Sequence, residues 1–440
     1  MAKPIVAIVG RPNVGKSTLF NKIAGKRISI VENRPGITRD RLYADCEWLT
    51  KKFILIDTGG LELKSEDEMW SHIKKQADVA IETADVVVFV CDGKAGLTGS
   101  DYDVADMLRR SGKNVVLAVN KLDNYSPDLL YDFYCLGLGE PIGISAEQSQ
   151  GIGDLLDEVC SFFDKEAEAD DDVEDVKIAV VGKPNAGKSS LTNKLLGFER
   201  TIVSDMAGTT RDSVDTPLCY KGKNYTLIDT AGIRRKRSVE EDVEYYSVIR
   251  ALASIRRADV VFCVIDASQG ITEQDVKICG YAHEQGKPTV IVMNKWDLVE
   301  KDTGTINKFN DKLKCDLAFM DYFKSVYISA KTGQRTEKLF PLADEVLEHA
   351  KTRITTGTLN DFVADCVRTT EPPTKNGRRL KIYYAVQDGV CPPSFVFFVN
   401  DEELMHFSYK RFLENSLRRS FDFSGTPIRL FVRARNKDED

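Results

Sequence analysis

The 440 residues predict an α/β fold that occurs twice, followed by a smaller α+β domain. The runs ADVVVFVCD and ADVVFCVID are typical of parallel strands that helices bury on both faces of a sheet. The phrase VGRPNVGKST, which begins at Val9, returns as VGKPNAGKSS at Val181. The last 90 residues contain neither phrase and alternate helical and strand patterns differently. A phrase that recurs between the same kinds of elements indicates a duplicated domain.

The repeat keeps its register over three separate motifs. Three pairs of residues are each separated by 172 positions: Lys16 and Lys188, Thr38 and Thr210, and Asp57 and Asp229. The interval grows to 174 between Asn120 and Asn294 and to 184 between Ser145 and Ser329. The second copy therefore gains ten residues, which we expect in a surface insertion around residues 301–319.

These intervals predict a first domain over residues 1–165, an acidic linker over 166–175, a second domain over 176–350 and a third over 351–440. The stretch DKEAEADDDVEDV holds eight carboxylates and one lysine. Its charges repel one another, which favours a solvated linker. The alternative is an acidic contact for a basic surface.

Composition indicates an ordinary globular protein, with 42% hydrophobic and 29% charged residues. No run of 18 apolar residues predicts a membrane span, and the N-terminus does not resemble a signal peptide. The ten cysteines form no C-x-x-C pair, so we expect reduced thiols and neither disulfides nor zinc. A cytoplasmic location is expected.

Both repeated phrases fit G-x-x-x-x-G-K-[ST], placed after a strand and before a helix. The glycines allow successive backbone N–H groups to point at phosphate oxygens, and the helix adds its positive N-terminal end. Lys16 and Lys188 are expected to reach the β- and γ-phosphates, while Ser17 and Ser189 bind Mg²⁺. The predicted phosphate-binding residues are Gly10, Asn13, Val14, Gly15, Lys16, Ser17 and Thr18, and Gly182, Asn185, Ala186, Gly187, Lys188, Ser189 and Ser190.

Two further motifs predict the groups around the γ-phosphate. DTGG and DTAG each end a strand, so Asp57 and Asp229 are expected to hold Mg²⁺ through water. The glycine N–H groups of Gly60 and Gly232 are expected to meet the γ-phosphate. In PGITRD and AGTTRD, the hydroxyls of Thr38 and Thr210 predict switch loops that bind Mg²⁺ only when the γ-phosphate orders them.

NKLD and NKWD predict that the base is guanine. The carboxylates of Asp123 and Asp297 each accept two hydrogen bonds, from N1–H and the exocyclic amine. Adenine offers neither donor there, so the buried carboxylate would be left unpaired. The predicted base-binding residues are Asn120, Lys121, Asp123, Ser145 and Ala146, and Asn294, Lys295, Asp297, Ser329, Ala330 and Lys331. With five ordered elements in each copy, the sequence predicts two P-loop GTPase domains.

The sequence of the last domain predicts, in this order, a helix over 358–370, strands over 380–386 and 394–400, a helix over 408–421 and a strand over 427–433. From Lys351 to Lys437 it holds 15 Lys and Arg against 9 Asp and Glu, in a chain whose net charge is −7. Seven basic residues are candidate RNA phosphate contacts: Arg378, Arg379, Lys381, Lys410, Arg411, Arg418 and Arg419. A second basic cluster, Arg234–Arg237, follows DTAG, and we expect it to contact RNA or the ribosome, or else the acidic linker.

The tandem arrangement, the R/K-P-N-x-G-K-S form of the P-loop and the T-R-D switch resemble the bacterial double GTPases of the Der (EngA) family, which are related to Era- and TrmE-like GTPases. The resemblance covers essentially the whole chain. It implies a GTPase that helps to mature the large (50S) ribosomal subunit and a KH-like third domain. That domain lacks the G-x-x-G loop with which KH modules clamp RNA. The expected partners are the large subunit and its rRNA, with no DNA and a monomeric chain.

The water-positioning glutamine of Ras-like enzymes is replaced by Leu61 and Ile233, so hydrolysis needs another device. Similar GTPases use potassium, which implies that Asn13 and Asn185 hold K⁺ beside the phosphates. The alternative for both is a structural turn residue. Two other functions stay open: a GTPase partner in tRNA modification, and a GTP-dependent binding switch with negligible turnover.

Overall fold

The computed structural model describes residues 3–25, 43–49, 51–57, 74, 77–122, 127–163, 175–197, 215–229, 243–300, 302, 304–375 and 377–434. Within these ranges, no helix has the length and apolar character needed to cross a membrane. The chain divides into two compact units, Met1–Val173 with Val248–Ala253 and Glu174–Ser247 with Ser254–Asp440. The second unit contains both the second predicted GTPase domain and the C-terminal domain, whose predicted boundaries stay a prediction.

The first unit is built on a six-stranded sheet in the order β2-β3-β1-β4-β5-β6. Its strands are β1 Ile5–Val9, β2 Tyr43–Trp48, β3 Lys51–Asp57, β4 Val86–Asp92, β5 Asn114–Asn120 and β6 Ile142–Gly143. All neighbours are parallel except β2, which pairs antiparallel with β3 at the edge. The central strand β4 is buried along its whole length. The predicted parallel sheet is confirmed.

The described helices of this unit follow strands of the sheet. They include α1 Lys16–Gly25, α2 Gly99–Ser111 and α3 Ile152–Ser161, with a 3-10 helix at Pro127–Leu136, and residues 77–83 are helical as well. Leu19 of α1 and Leu155 of α3 join Val6 and Val88 of the strands in one hydrophobic core. This packing is what holds the loops at the carboxyl ends of the strands in place.

The second unit repeats the same sheet, in the order β12-β11-β10-β7-β9-β8. Its strands are β7 Val176–Val181, β8 Thr216–Tyr220, β9 Lys223–Ile228, β10 Val260–Asp266, β11 Thr289–Asn294 and β12 Lys324–Tyr327. The described α-helices that follow these strands are α4 Lys188–Leu195, α5 Val243–Arg257, α6 Glu273–Glu284, α7 Thr305–Asp316 and α8 Leu339–Lys351, and Val248–Ala253 of α5 belongs to the first unit. The ten extra residues coincide with α7, which stands where the first copy has its 3-10 helix and packs Leu313 inward.

The C-terminal part has the predicted αββαβ order. Its elements are α9 Thr356–Thr369, β15 Ile382–Gly389, β16 Ser394–Val399, α10 Phe407–Ser420 and β17 Arg429–Ala434, with a short hairpin of β13 Thr374–Lys375 and β14 Arg378–Arg379. The order of the three-stranded sheet is β15-β16-β17, antiparallel and then parallel. Its inner face packs Phe395 and Phe397 against Leu359 and Leu413 of the two helices.

Gly425 joins the C-terminal part to the second GTPase sheet. Its N–H donates to the Tyr322 carbonyl over 2.7 Å, and its carbonyl accepts from the Thr289 N–H over 2.8 Å. The φ of Gly425 is +76°, and an added Cβ would lie 2.2 Å from Cγ1 of the fully buried Val346. Only glycine combines this backbone angle with this approach.

We predict that Gly425→Ala lowers the free energy of unfolding of the second unit by about 3 kcal/mol, from left-handed backbone strain and overpacking together. Gly377→Ala is the matched control, since Gly377 has φ +74° and no described atom within 4 Å of the added Cβ. Gly377→Ala should lower the free energy of unfolding by about 1 kcal/mol, because it adds backbone strain without overpacking. Urea unfolding with hydrogen exchange of β11 and β17 measures both values, and equal losses would contradict the packing argument.

Two candidate nucleotide-binding sites

Each P-loop is pressed onto the central strand of its sheet. The first lies between β1 and α1, and the second between β7 and α4. A Cβ added at Gly10 would lie 2.3 Å from the carbonyl oxygen of Val90, and one at Gly182 would lie 2.3 Å from that of Val264. The first glycine of the motif is therefore required by backbone packing, which fixes where the loop leaves the sheet.

An asparagine side chain ties the first P-loop to the predicted base-binding loop. Asn120, which ends β5 and is 2% exposed, donates from Nδ2 to the Val14 carbonyl over 2.8 Å. Its Oδ1 accepts from the Ala146 N–H over 2.9 Å. Gly15 has φ +94°, and an added Cβ would lie 2.3 Å from Nδ2. Gly15 thus leaves the space that Asn120 fills.

The second copy builds the same clamp. Asn294 donates to the Ala186 carbonyl over 2.9 Å and accepts from the Ala330 N–H over 2.9 Å. A Cβ at Gly187 would lie 2.2 Å from Asn294 Nδ2. We call this arrangement, in both copies, the asparagine clamp.

The P-loop lysines lie across their own loops. Lys16 Nζ donates to the carbonyls of Gly10 and Arg11 over 2.7 and 2.8 Å. Lys188 Nζ donates to those of Gly182 and Lys183 over 2.6 and 2.7 Å. Burial lowers the pKa of Lys16 to about 8, although the nearby Asp57 carboxylate acts in the opposite direction.

The first pair of predicted magnesium residues lies together. Ser17 Oγ donates to Asp57 Oδ2 over 2.9 Å, and Asp57 is 3% exposed at the end of β3. A hydroxyl and a carboxylate at this distance, beside a lysine, fit the oxygen donors that Mg²⁺ requires. In the second copy, Asp229 has φ +56°, and its N–H donates to Asp215 Oδ1 over 3.0 Å.

The lysines of the NKxD segments meet a partner that the sequence reasoning missed. Lys121 Nζ lies 2.7 Å from Asp92 Oδ2 at the end of β4, and Lys295 Nζ lies 2.6 Å from Asp266 Oδ2 at the end of β10. Burial alone would raise the pKa of each carboxyl, but hydrogen bonds from the lysine and neighbouring groups outweigh it and lower the pKa. The 174-residue interval from Asp92 to Asp266 matches that of the asparagines and was the available signal.

The other predicted residues fall near these clamps. Asn13 and Asn185 are exposed and adopt left-handed φ angles of 65° and 62°. Asparagine tolerates that conformation, so a turn role and an outward-facing amide are both compatible with the geometry.

Ser145 pairs with Gln150, and Ser329 with Gln334, in isolated bridges that shape the loops carrying Ala146 and Ala330. Asp297 is exposed after the buried Trp296, and Lys331 is exposed as well.

Several predictions lie outside the described residues. These concern Thr38, Gly60, Leu61, Asp123, Thr210, Gly232, Ile233, the cluster Arg234–Arg237 and residues 164–174 of the acidic stretch.

An ion pair to a buried aspartate of α2 or α6 anchors the second residue of each P-loop motif, and the sequence reasoning missed it too. Arg11 Nε lies 3.3 Å from Asp101 Oδ2, whose side chain is 1% exposed. The same oxygen caps α2 by accepting from the N–H and hydroxyl of Thr98. In the second copy, Lys183 Nζ lies 3.7 Å from the equally buried Asp275 Oδ2.

One candidate RNA contact is corrected. Arg418 donates to the carbonyls of Phe423 and Thr426, and its guanidinium lies 4.3 Å from the centre of the Tyr322 ring. Its side chain is 13% exposed, so these internal contacts remove it from the phosphate-binding set. Arg378, Arg379, Lys381, Arg411 and Arg419 are exposed and Lys410 is half-buried.

A mostly parallel sheet with a P-loop after its first strand and an Asn-Lys-x-Asp segment after its fifth defines a P-loop GTPase, here present twice. Residues 5–121 and 177–295 match a family described as 50S ribosome-binding GTPase. Residues 353–433 match the KH-domain-like C-terminal part of EngA bacterial GTPase enzymes.

Full-length relatives make the assignment specific. The chain is 56% identical to GTPase Der of Desulfitobacterium hafniense and 54% identical to that of Agathobacter rectalis, each over 100% of both chains. It is 56% identical to GTPase Der of Clostridium botulinum over 99% of this chain and 100% of that one. The chain belongs to the GTPase Der family.

We predict that Arg11→Met weakens nucleotide binding at the first site and lowers the unfolding free energy of the first unit by about 3 kcal/mol, because it leaves the Asp101 carboxylate buried without a counter-charge. Arg11→Lys should retain most of the nucleotide affinity and most of the unfolding free energy, since the second copy has lysine at this position. Titration with a fluorescent GDP analogue and urea unfolding measure the two effects. Wild-type affinity in Arg11→Met would contradict the anchoring role.

We predict that nucleotide binding at the first site takes up a proton near pH 8. Phosphate beside Lys16 favours its charged form and raises its lowered pKa, so affinity falls as the pH rises through 8. At pH 8 the uptake should be about half a proton. Calorimetry in two buffers of different ionisation enthalpy measures it, in a Lys188→Ala background that isolates the first site. Lys16→Arg, which stays charged, should abolish the uptake, and equal uptake in both variants would contradict the prediction.

Proposed function

We propose that this chain is a GTP-hydrolysing factor in assembly of the large (50S) ribosomal subunit. Its two nucleotide sites control the arrangement of its domains and its binding to ribosomal RNA. The proposal rests on one observation above all: both segments that carry a P-loop and the asparagine bonded to it match the family described as 50S ribosome-binding GTPase. We further propose that it acts as a monomer in the cytoplasm.

In each site the P-loop receives the phosphates, and the lysine exchanges its loop carbonyls for phosphate oxygens. The short contacts of Lys16 and Lys188 to those carbonyls support this role, because the ammonium groups already lie over the loops. Mg²⁺, when bound, neutralises charge on the phosphate oxygens. Ser17 with Asp57, and Ser189 with Asp229, would hold it, together with Thr38 and Thr210.

The base is held by the loop that the asparagine clamp supports. We propose that Asp123 and Asp297 accept hydrogen bonds from guanine and that the backbone at Ser145–Ala146 and Ser329–Ala330 backs the ring. The clamp contributes indirectly, since it ties these loops to the P-loop and so fixes the distance between base and phosphates.

The two P-loop asparagines are proposed as potassium ligands that replace the missing glutamine. Their exposed amides and left-handed backbone support an outward-facing role beside the phosphates. Potassium, when bound, offsets the charge that develops in the transition state.

We predict that Asn13→Gly and Asn185→Gly abolish potassium stimulation of GTP hydrolysis and leave turnover in sodium unchanged. Glycine accepts the left-handed backbone, so this substitution removes the amide without straining the turn. Comparison of turnover in KCl and NaCl measures the effect. If both variants keep wild-type stimulation, the asparagines are turn residues only.

Sedimentation with purified ribosomal subunits tests the proposed function. The chain should travel with the large subunit in a non-hydrolysable GTP analogue and separate from it in GDP, at near-physiological salt. Lys16→Ala and Lys188→Ala identify which site controls the association. An absence of binding to the large subunit in both nucleotides would overturn the proposal.

A further inference from the structure

The outward face of the C-terminal sheet carries aromatic and basic side chains that the GTPase sites do not use. We propose that this face binds single-stranded RNA by stacking bases on its aromatic rings. The inference rests on the proposed function and assigns its RNA contact to one surface.

The strand register shows which side chains share this face. Tyr384 stands opposite Phe398, and Val386 opposite Val396. On the other side of the central strand, Phe398 stands beside Arg433 and Val396 beside Phe431. We call the set the aromatic face: Tyr384, Val386, Ser394, Val396, Phe398, Arg429, Phe431 and Arg433.

The alternate positions of the same strands point the other way. Ala385, Phe397 and Leu430 are buried in the core formed with α9 and α10. The helices therefore account for the inner aromatic residues of this sheet. Within the aromatic face Val396 is buried at 3% exposure, so the side chains available to a ligand are those of Tyr384, Phe398, Phe431 and Arg433.

The aromatic face offers open ring surfaces. Tyr384 and Phe398 are stacked, with ring centroids 4.4 Å apart and planes 17° apart. Tyr384 is 37% exposed and Phe431 is 47% exposed. Because β15 is an edge strand, a planar base can continue the stack on the side of Tyr384 away from Phe398. Base–aromatic stacking of this kind tolerates any sequence.

Charge on and around this face favours a polyanion. No position of the aromatic face is Asp or Glu, and Arg433 is exposed beside the Tyr384–Phe398 stack. Lys381 is exposed next to the start of β15, with Nζ 5.1 Å from the centre of the Tyr383 ring. Asp388 lies at the far end of β15, and Glu402 accepts from the N–H of Ala434, the residue after Arg433. Arg429 already donates to the Glu284 carbonyl, so Arg433 and Lys381 are assigned the phosphates.

Single strands fit this face better than duplexes, whose bases are already stacked on one another and closed to aromatic side chains. The C-terminal domain lacks the G-x-x-G loop, so the usual KH route to RNA is absent from its sequence. An aromatic sheet surface is the other common way in which small α+β domains bind unpaired bases. The geometry therefore assigns RNA binding to the sheet and away from the helices.

Fluorescence anisotropy of the full chain with a labelled single-stranded RNA of about 12 nucleotides tests the inference. Phe431→Ala and Tyr384→Ala should each weaken binding about fivefold or more. Phe407→Ala is the matched control, because Phe407 is 64% exposed in the same domain but begins α10 on the helical side. It should leave affinity unchanged. Arg433→Gln should reduce the slope of log affinity against log salt by about 0.7, the loss of one phosphate contact.

An oligomer of the same length with abasic sugars separates stacking from charge. Its affinity should be low and insensitive to Phe431→Ala. Equal sensitivity of the abasic and normal oligomers, or unchanged RNA affinity in correctly folded Phe431→Ala, would overturn the inference. GTP hydrolysis without RNA reports folding of the variants and should not change.

Subunit sedimentation with Phe431→Ala distinguishes the two proposals. If the wild-type chain binds no large subunit, the proposed function fails. If it binds and Phe431→Ala binds equally well, only the present inference fails. A third outcome is that the wild-type chain binds the large subunit but no RNA oligomer, and that Phe431→Ala no longer binds the subunit. The aromatic face then binds a ribosomal protein, and the assignment to RNA is wrong.

Discussion

One buried side-chain amide in each GTPase domain holds together the loops that a nucleotide must touch. Asn120 reaches 106 residues back to the P-loop and 26 residues forward to Ala146, and Asn294 makes the same two bonds. Both amides are 2% exposed, so a lost partner would leave a polar group buried and unsatisfied, at a cost of about 1–3 kcal/mol. Gly15 and Gly187, which precede the P-loop lysines, leave room for that amide because they carry no side chain. The P-loop and the predicted base-binding loop are thus joined in one frame.

The duplication preserves this frame and varies what surrounds it. Both copies keep the Lys–Asp pair behind the NKxD segment and the ion pair that anchors the P-loop. The residue that forms this ion pair is Arg11 in the first copy and Lys183 in the second. After the NKxD segment, the first copy has a 3-10 helix where the second copy has the α-helix α7. The C-terminal part belongs to the same compact unit as the second site and contacts it through Gly425.

Sequence reasoning succeeded where a local pattern carries the information. The apolar runs ending at Asp92 and Asp266 predicted buried parallel strands, and the αββαβ order of the last domain followed from its alternating pattern. It missed the antiparallel edge strands β2 and β8. In β2, Ala44, Cys46 and Trp48 pack on the core and alternate with the exposed Asp45 and Glu47, and this alternation was the available signal. It did not find the bonds from Asn120 and Asn294 to the P-loops, because a side-chain bond across more than 100 residues leaves no local trace in the sequence. It also kept Arg418 as an RNA contact, since sequence cannot show that the fold occupies its guanidinium.

The asparagine clamp couples the P-loop to the predicted base-binding loop. Hydrogen exchange of Asn294→Asp tests this coupling most directly, because aspartate keeps an acceptor for the Ala330 N–H but cannot donate to the Ala186 carbonyl. We expect faster exchange both in the P-loop, residues 183–189, and in the loop at Ser329–Gln334, with weaker GDP binding at the second site. Faster exchange in the P-loop alone, with unchanged protection at Ala330 and unchanged affinity, would contradict it.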